Sequence, residues 1–334
     1  MSVSPSKHAT ACREQHNNQR SFLDLVFYLA LTSRLNNIRI LFGVFGGVIS
    51  TLLAGISKAQ HEPASISRQF ILRQAALCFL HCFSLGAAGN TWNDLVDRDI
   101  DSKVARTKSR PLASGKVSTV EAVAWIACLY SISAGTLSWM LDDKDAWKLM
   151  MPLTAVIMLY PFGKRPAFRK LHIYPQYLLG MALGYPTIYG WSAIYGGQLT
   201  LSEILERCFP LCLFLFFWTF YGNTAYSYQD IEDDRKMKVN SAYNLAGKHI
   251  HALLAVLGIM TLLTIPFVLN PISSLWLWIS WMGVWTIGIA KQLISFDPSM
   301  PETGGALQLQ TVVLGIWIIV ACIVQLGLLE LSTI

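Results

Sequence analysis

Apolar residues in this chain are gathered into long runs with little charge inside them, and the polar residues collect between the runs. Nine runs stand out, at about 40-57, 74-92, 122-141, 149-163, 175-196, 208-229, 252-269, 273-290 and 306-329. A run of roughly 20 apolar residues is the length at which a helix crosses the hydrocarbon core of a bilayer. The fourth run is short, and Asn270-Pro271 is the turn signal that parts the seventh from the eighth. The pattern predicts an all-α integral membrane protein with about nine transmembrane helices.

The first 33 residues differ. They are polar and then weakly amphipathic from Phe22 to Leu31, and are expected to form a cytosolic segment (1-33) ahead of a membrane domain (34-334). They lack the apolar core and small-residue cleavage site of a secretory signal peptide. Arg13, Arg20 and several serines hint at a mitochondrial transit peptide, which Glu14 and Asp24 interrupt.

Composition agrees with a membrane protein. With 53% hydrophobic residues, 14% charged residues and a mean hydropathy of +0.44, the chain has too few polar side chains to cover a soluble domain. Fifteen of the 26 Lys and Arg fall in the even-numbered connections and six in the odd ones, the other five preceding the first run. This bias puts the N-terminus and the even connections in the cytosol. The net charge of +6 is then a basic inner face, and nucleic acid is not an expected partner. Of the seven cysteines, Cys78/Cys82 and Cys208/Cys212 are spaced to share a helix face. Either pair can be read as a metal or disulfide site, but packing at a helix interface is the better reading.

Candidate chemistry enters where two of the runs end. "NTWNDLVDRDID", residues 90 to 101, closes the second, and Asn93, Asp97 and Asp101 follow at intervals of four with Asp94 beside them. On a continuing helix they line one face, and like charges so spaced repel until a cation offsets them. "NTAYSYQDIEDDRK", residues 223 to 236, closes the sixth run and sets Asn223, Asp230 and Asp234 on a common face. The clusters lie four helices apart on the same side of the membrane, as in an internal repeat. A hard cation such as Mg2+ is held by one or two carboxylates together with substrate phosphates. Two facing rows can therefore hold metal around a diphosphate.

Basic loops follow the acids. Lys103, Arg106, Lys108 and Arg110 come after the first cluster, Arg235, Lys236 and Lys238 after the second, and Lys164, Arg165, Arg169 and Lys170 in the connection between runs four and five. Acids for metal beside cations for a polyanion, opening into an apolar bundle, point to an allylic isoprenoid diphosphate. Tyr160, Tyr174, Tyr185, Trp191, Tyr221, Tyr226 and Tyr228 are available to face an allylic cation. A transporter also places acids in spanning helices, but usually near the midplane at broken helices.

"NDLVDRDID" followed by "RTKSRPLASG", together with "AYSYQDIEDDRK" and "YPQYLLGMALG", resembles the signatures of the UbiA superfamily of intramembrane aromatic prenyltransferases. The resemblance covers roughly residues 34 to 334. It implies helices around a central cavity, Mg2+ dependence, and prenyl transfer to carbon of an electron-rich aromatic acceptor. By position it implies that Asp94, Asp97, Asp101, Asp230 and Asp234 are catalytic. The same match implies that Asn93, Asp97, Asp101, Asp230 and Asp234 hold metal and that Arg106 and Arg110 are the family's loop cations. Together with the loop and aromatic residues read above, the expected substrate-binding set is Asn93, Arg106, Arg110, Lys164, Arg165, Asn223, Tyr226 and Lys238. The chain departs from the family's 4-hydroxybenzoate polyprenyltransferases at Asn223, usually Asp there, at Lys238-Val239-Asn240-Ser241, usually Gly-Ile-Lys-Ser, and at Asn36-Asn37-Ile38, where an Asp-Lys-Pro-like segment is usual. It looks more like the fungal meroterpenoid branch, which implies a farnesyl diphosphate donor and a phenolic or pyrone polyketide acceptor. The alternative is the ubiquinone-pathway enzyme. The expected setting is the endoplasmic reticulum with the site facing the cytosol, the mitochondrial inner membrane being the lesser alternative.

Overall fold

The computed structural model describes residues 20–329; the transit-peptide features at Arg13 and Glu14 lie outside the described residues. Helix α1 (Phe22–Thr32) is short. It is followed by α2 (Phe42–His61), α3 (Arg68–Val96), α4 (Thr119–Leu141), α5 (Met151–Leu159), α6 (Pro175–Gly184), α7 (Thr187–Tyr195), α8 (Leu201–Tyr228), α9 (Ile250–Leu269), α10 (Leu275–Ser295) and α11 (Thr303–Leu328). Single turns at Arg98–Asp101, Pro166–Lys170, Ile231–Lys236 and Tyr243–Ala246 link some of them.

Local chemistry sets several boundaries. Ser67, Ser118 and Thr200 each accept a hydrogen bond from a backbone N–H of the first turn, and Glu121 and Glu203 complete capping boxes. Asp142 ends α4 in the left-handed conformation, which a short acidic side chain tolerates.

Among the described residues, seven helical stretches are long and apolar enough to cross a membrane. They match the expected spans except the fifth and eighth. The fifth is divided into α6 and α7 at Tyr185-Pro186, because Pro186 has no N–H to continue the ladder. The Ser50 hydroxyl donates to the Thr187 carbonyl at 2.5 Å beside this break. The eighth is α10, one unbroken helix whose tryptophans at 276, 278, 281 and 285 lower its hydropathy.

Helix α2 is the central element. Every residue from Val44 to Ala59 is buried, with α3, α7 and α11 packed around it. Lipid offers no hydrophobic drive for helices to associate, so close backbone approach matters more. Gly190 of α7 lies so near α2 that a Cβ there would sit 2.4 Å from the Thr51 nitrogen. Cys78 and Cys82 fill the space over Gly47. The six described cysteines are all free, so these pairs pack helices together.

Candidate active site

Both acid clusters fall where a long helix is interrupted for one or two residues and followed by a short helical turn. Helix α3 stops at Val96 and resumes at Arg98, while α8 stops at Tyr228 and a new turn starts at Ile231. Across the first break the i to i−4 bonds persist, from Asp97 N to the Asn93 carbonyl at 2.9 Å and from Asp101 N to the Asp97 carbonyl at 2.8 Å. Asn93, Asp97 and Asp101 therefore keep one face. Across the second, the Asp234 amide donates to the Asp230 carbonyl at 2.9 Å, which holds those two acids one turn apart.

The two faces meet across a cavity of about 330 Å³. Its polar end carries Asn93, Asp97, Asp101, Asp230 and Asp234, with Arg106, Arg110 and Lys164. Its apolar depth is walled by side chains such as Phe42, Leu85, Leu153, Ile157 and Leu183. A polar head and an apolar throat of this size suit an amphipathic ligand.

The cations are paired with the acids. Arg106 donates through Nε and Nη2 to both oxygens of Asp230, at 2.8 and 2.5 Å, and through Nη1 to the Tyr226 hydroxyl at 3.3 Å. Lys164 donates to Asn93 Oδ1 at 2.9 Å and to Asp97 Oδ2 at 2.5 Å. Arg110 donates to Asp101 Oδ2 at 2.7 Å. Asp234 accepts from the Tyr243 hydroxyl at 2.6 Å. Burial pushes the Asp234 carboxyl up to about 6, against the Tyr243 hydrogen bond and with a further push from Asp230. Burial also raises Asp101, with Arg110 opposing and Asp94 adding to the rise. Both charged forms are under-compensated, so an added cation would stabilise them.

Among the described residues no three His, Cys, Asp or Glu side chains converge into a cage for a metal ion. The donor set nonetheless fits Mg2+, which takes hard oxygen ligands and relies on substrate phosphates and water for the rest of its shell. The wall offers four carboxylates and the Asn93 amide oxygen. Arg106, Arg110 and Lys164 beside them are suited to the diphosphate.

Three of the expected site residues lie off this wall. Asp94, with a side chain of 0% exposure, is gripped by Arg34, whose Nη1 and Nη2 reach its two oxygens at 2.8 and 2.5 Å, and it also accepts from Arg110 at 3.1 Å. It positions Arg110. Arg165 stands behind Asp97, donating to its Oδ1 at 3.1 Å and to the Val96 carbonyl at 2.9 Å. Lys238 occupies a turn with φ of 56°. The expected substrate-binding residues Asn223 and Tyr226 do line the cavity.

Other wall residues were not singled out by sequence. Arg34 and Arg39 sit before the first span, where the positive-inside bias already accounts for basic residues. Gln176 is the one amide of α6 and Gln308 is one of three glutamines in α11, and a polar side chain inside an apolar helix is a signal that the sequence carries. Gln176 ties α6 to the second acid loop through Ser227 and Ser241. Asn240 donates to the carbonyls of Gly163 and Ile173, and its own N–H donates to the Lys164 carbonyl at 2.8 Å. The segment that departs from the hydroxybenzoate pattern thus anchors the backbone beneath Lys164.

An intramembrane prenyltransferase is the class that this bundle and its acid-lined cavity define. The chain belongs to the UbiA prenyltransferase family, whose model matches residues 48–319. It is 63% identical over 309 residues to the 6-hydroxymellein 5-farnesyltransferase of Talaromyces verruculosus, covering 92% of this chain and 93% of that protein. The fold is that of a UbiA homolog from Aeropyrum pernix K1, with a TM-score of 0.67 and 23% identity over 83% of this chain and 97% of that one. A second solved UbiA homolog, from Archaeoglobus fulgidus and bound to GPP and Mg2+, matches with a TM-score of 0.52 and 15% identity, covering 84% and 99% of the two chains. Family membership makes the protein an enzyme and removes the transporter reading.

Proposed function

We propose that the protein transfers a farnesyl group from farnesyl diphosphate to a ring carbon of a phenolic or pyrone polyketide. Mg2+ would be held among Asn93, Asp97, Asp101, Asp230 and Asp234. One observation carries this reading: the acids at the breaks that follow α3 and α8 and the cations Arg106, Arg110 and Lys164 share one end of a cavity whose depth is apolar. The relative named a 6-hydroxymellein 5-farnesyltransferase supports the choice of donor and acceptor over a polyprenyl donor and 4-hydroxybenzoate.

In the reaction the bond between C1 of the prenyl chain and the diphosphate oxygen breaks, and the electron pair leaves with the diphosphate. Arg106, Arg110 and Lys164 take its oxygens by exchanging carboxylate partners for phosphate ones, which keeps each cation paired throughout. Bound Mg2+ supplies further neutralisation of the leaving group as a Lewis acid. The allylic cation is left near Tyr160 and Tyr226, whose rings already face cations in this structure. Lys164 Nζ lies 5.2 Å from the Tyr160 centroid, and Arg39 and Arg106 lie 5.4 and 5.6 Å from that of Tyr226. The acceptor ring carbon then forms the new C–C bond and loses its proton, for which the released diphosphate is a base.

The reading also sets the site on the cytosolic face of the endoplasmic reticulum. Both acid clusters and the basic loops lie at one end of the bundle, and the Lys and Arg bias supports a cytosolic assignment for that end.

The test is direct. Purified protein in nanodiscs is given geranyl, farnesyl or geranylgeranyl diphosphate with 6-hydroxymellein and a panel of phenolic acids and pyrones, with Mg2+ or EDTA, and products are identified by mass spectrometry. The expected outcome is a Mg2+-dependent, C-farnesylated phenol or pyrone. A product only from 4-hydroxybenzoate, or preference for a longer donor, would overturn the assignment.

A further inference from the structure

A second cavity, of about 500 Å³, opens at the opposite end of the bundle. It is walled by the end of α2, the start of α3, the end of α4 and the turn after α7. Gln74 on its wall precedes Asp97 by 23 residues, which places the two roughly 35 Å apart along α3 at 1.5 Å per residue. The active site and this cavity therefore sit at opposite membrane interfaces. The aromatic side chains here agree with that depth, since the exposed Trp139 ring is covered by the Arg73 guanidinium at 5.5 Å.

The cavity contains a charge that the protein does not neutralise. Lys58 is 5% exposed. It donates to Gln198 Oε1 at 2.7 Å, approaches the Ile194 carbonyl at 3.5 Å and faces the Tyr195 ring at 5.0 Å. Among the described residues no carboxylate pairs with it. A buried ammonium with only neutral partners is costly and calls for an anion. Gln74, 6% exposed, lines the same cavity and its Oε1 has no hydrogen-bond partner. That oxygen calls for an N–H or O–H donor. The wall also includes Asp142, whose exposed carboxylate is available to a cation.

A buried cation, an unfilled acceptor and an exposed carboxylate form a set complementary to a zwitterion. We propose that this cavity binds the phosphoethanolamine headgroup of a membrane phospholipid, with the phosphate at Lys58 and the ammonium shared between Gln74 and Asp142. Phosphatidylcholine has no N–H to offer Gln74, and phosphatidylglycerol has no cation to offer Asp142. The headgroup belongs to the leaflet away from the active site, so this lipid is a structural ligand and not a substrate.

Delipidated protein in detergent is titrated separately with phosphatidylethanolamine, phosphatidylcholine, phosphatidylglycerol and inorganic phosphate. Thermal stability and lipid retention by native mass spectrometry are the readouts. Phosphatidylethanolamine is expected to raise the Tm most and to be retained, and Lys58→Met to weaken retention about tenfold through loss of a charge-assisted hydrogen bond. Asp142→Asn keeps a residue that tolerates the left-handed conformation, and is expected to abolish the preference for phosphatidylethanolamine over phosphatidylglycerol. Equal retention by the wild type and Lys58→Met overturns the site. Stabilisation by inorganic phosphate alone makes it a free-anion site and overturns the lipid assignment, as does equal or better binding of either other lipid. If Lys58→Met does not fold, Asp142→Asn decides alone, and an unchanged lipid preference in that variant overturns the proposal.

Discussion

Arg106 and Asp230, 124 residues apart in the chain, meet through two parallel hydrogen bonds at 2.8 and 2.5 Å. One belongs to the loop after α3 and the other to the break after α8, so this pair joins the two acid clusters into one site. A guanidinium matches a carboxylate or a phosphate in the same forked geometry. Arg106 is therefore already shaped for the diphosphate that would replace Asp230 as its partner.

Replacing that fork tests its role. Arg106→Lys keeps the charge but loses the second hydrogen bond, and is expected to raise the KM for farnesyl diphosphate about tenfold. The acceptor's KM should change little. Steady-state kinetics with each substrate varied in turn checks this, and an effect confined to the acceptor would mean that Arg106 serves the other substrate.

Asp97 and Asp99 are two residues apart and should behave differently. Asp97 is buried at the cavity wall against Lys164 and Arg165, whereas the Asp99 side chain is 92% exposed. Asp97→Asn is expected to lower turnover by at least about a hundredfold, the scale for losing one group that stabilises developing charge. Asp99→Asn should stay near wild type. Similar turnover in the two variants would remove the metal row.

Asp94 should act on stability before chemistry. Asp94→Ala leaves Arg34 and Arg110 partly buried without their shared carboxylate, a loss of roughly 3–5 kcal/mol for a buried pair broken on one side. The expected result is a lower Tm in detergent than for Asp97→Asn. An unchanged Tm with lost turnover would return Asp94 to the reacting groups.

At the crossing of α7 and α2, Gly190→Ala places a methyl 2.4 Å from the Thr51 nitrogen and 2.5 Å from the Ser50 hydroxyl oxygen. Overpacking of this kind costs about 1–3 kcal/mol or more. Gly135→Ala on α4 meets nothing within 4 Å and should be neutral or stabilising. Paired melting curves compare them, and equal Tm values would mean that the crossing yields.

Asn223 lines the cavity on α8, two turns before Asp230. Asn223→Asp puts a carboxylate where the chain has an amide able both to donate and to accept. Activity is expected to persist with acceptor preference moved toward a simple hydroxybenzoate. Two acceptors competing in one tube give the product ratio, and a loss of total activity at constant ratio would make position 223 structural.

Much of the protein was legible in its sequence. The all-helical class and the rough bounds of seven of the apolar runs follow from the length a helix needs to cross a bilayer, which is a local property of each run. The shared face of Asn93, Asp97 and Asp101 was equally local, because hydrogen bonds from each turn to the one before it hold the register even where α3 is interrupted. The break of the fifth span was not read, although Pro186 is visible in the sequence. Its carbonyl neighbour Thr187 takes a hydrogen bond from Ser50, a residue 137 positions away.

What only the tertiary structure decided is which cation meets which acid. Asp94 lies next to Asn93 in sequence, yet a helix turns about 100° per residue, so it points away from the row and into the grip of Arg34. Arg34 and Arg39 looked like ordinary basic residues at a membrane face until folding brought them to the cavity wall beside Tyr226, Gln308 and Asp230. Charge spacing along a helix fixes the direction of a side chain, but its partner comes from another helix, and that pairing exists only once the bundle has closed.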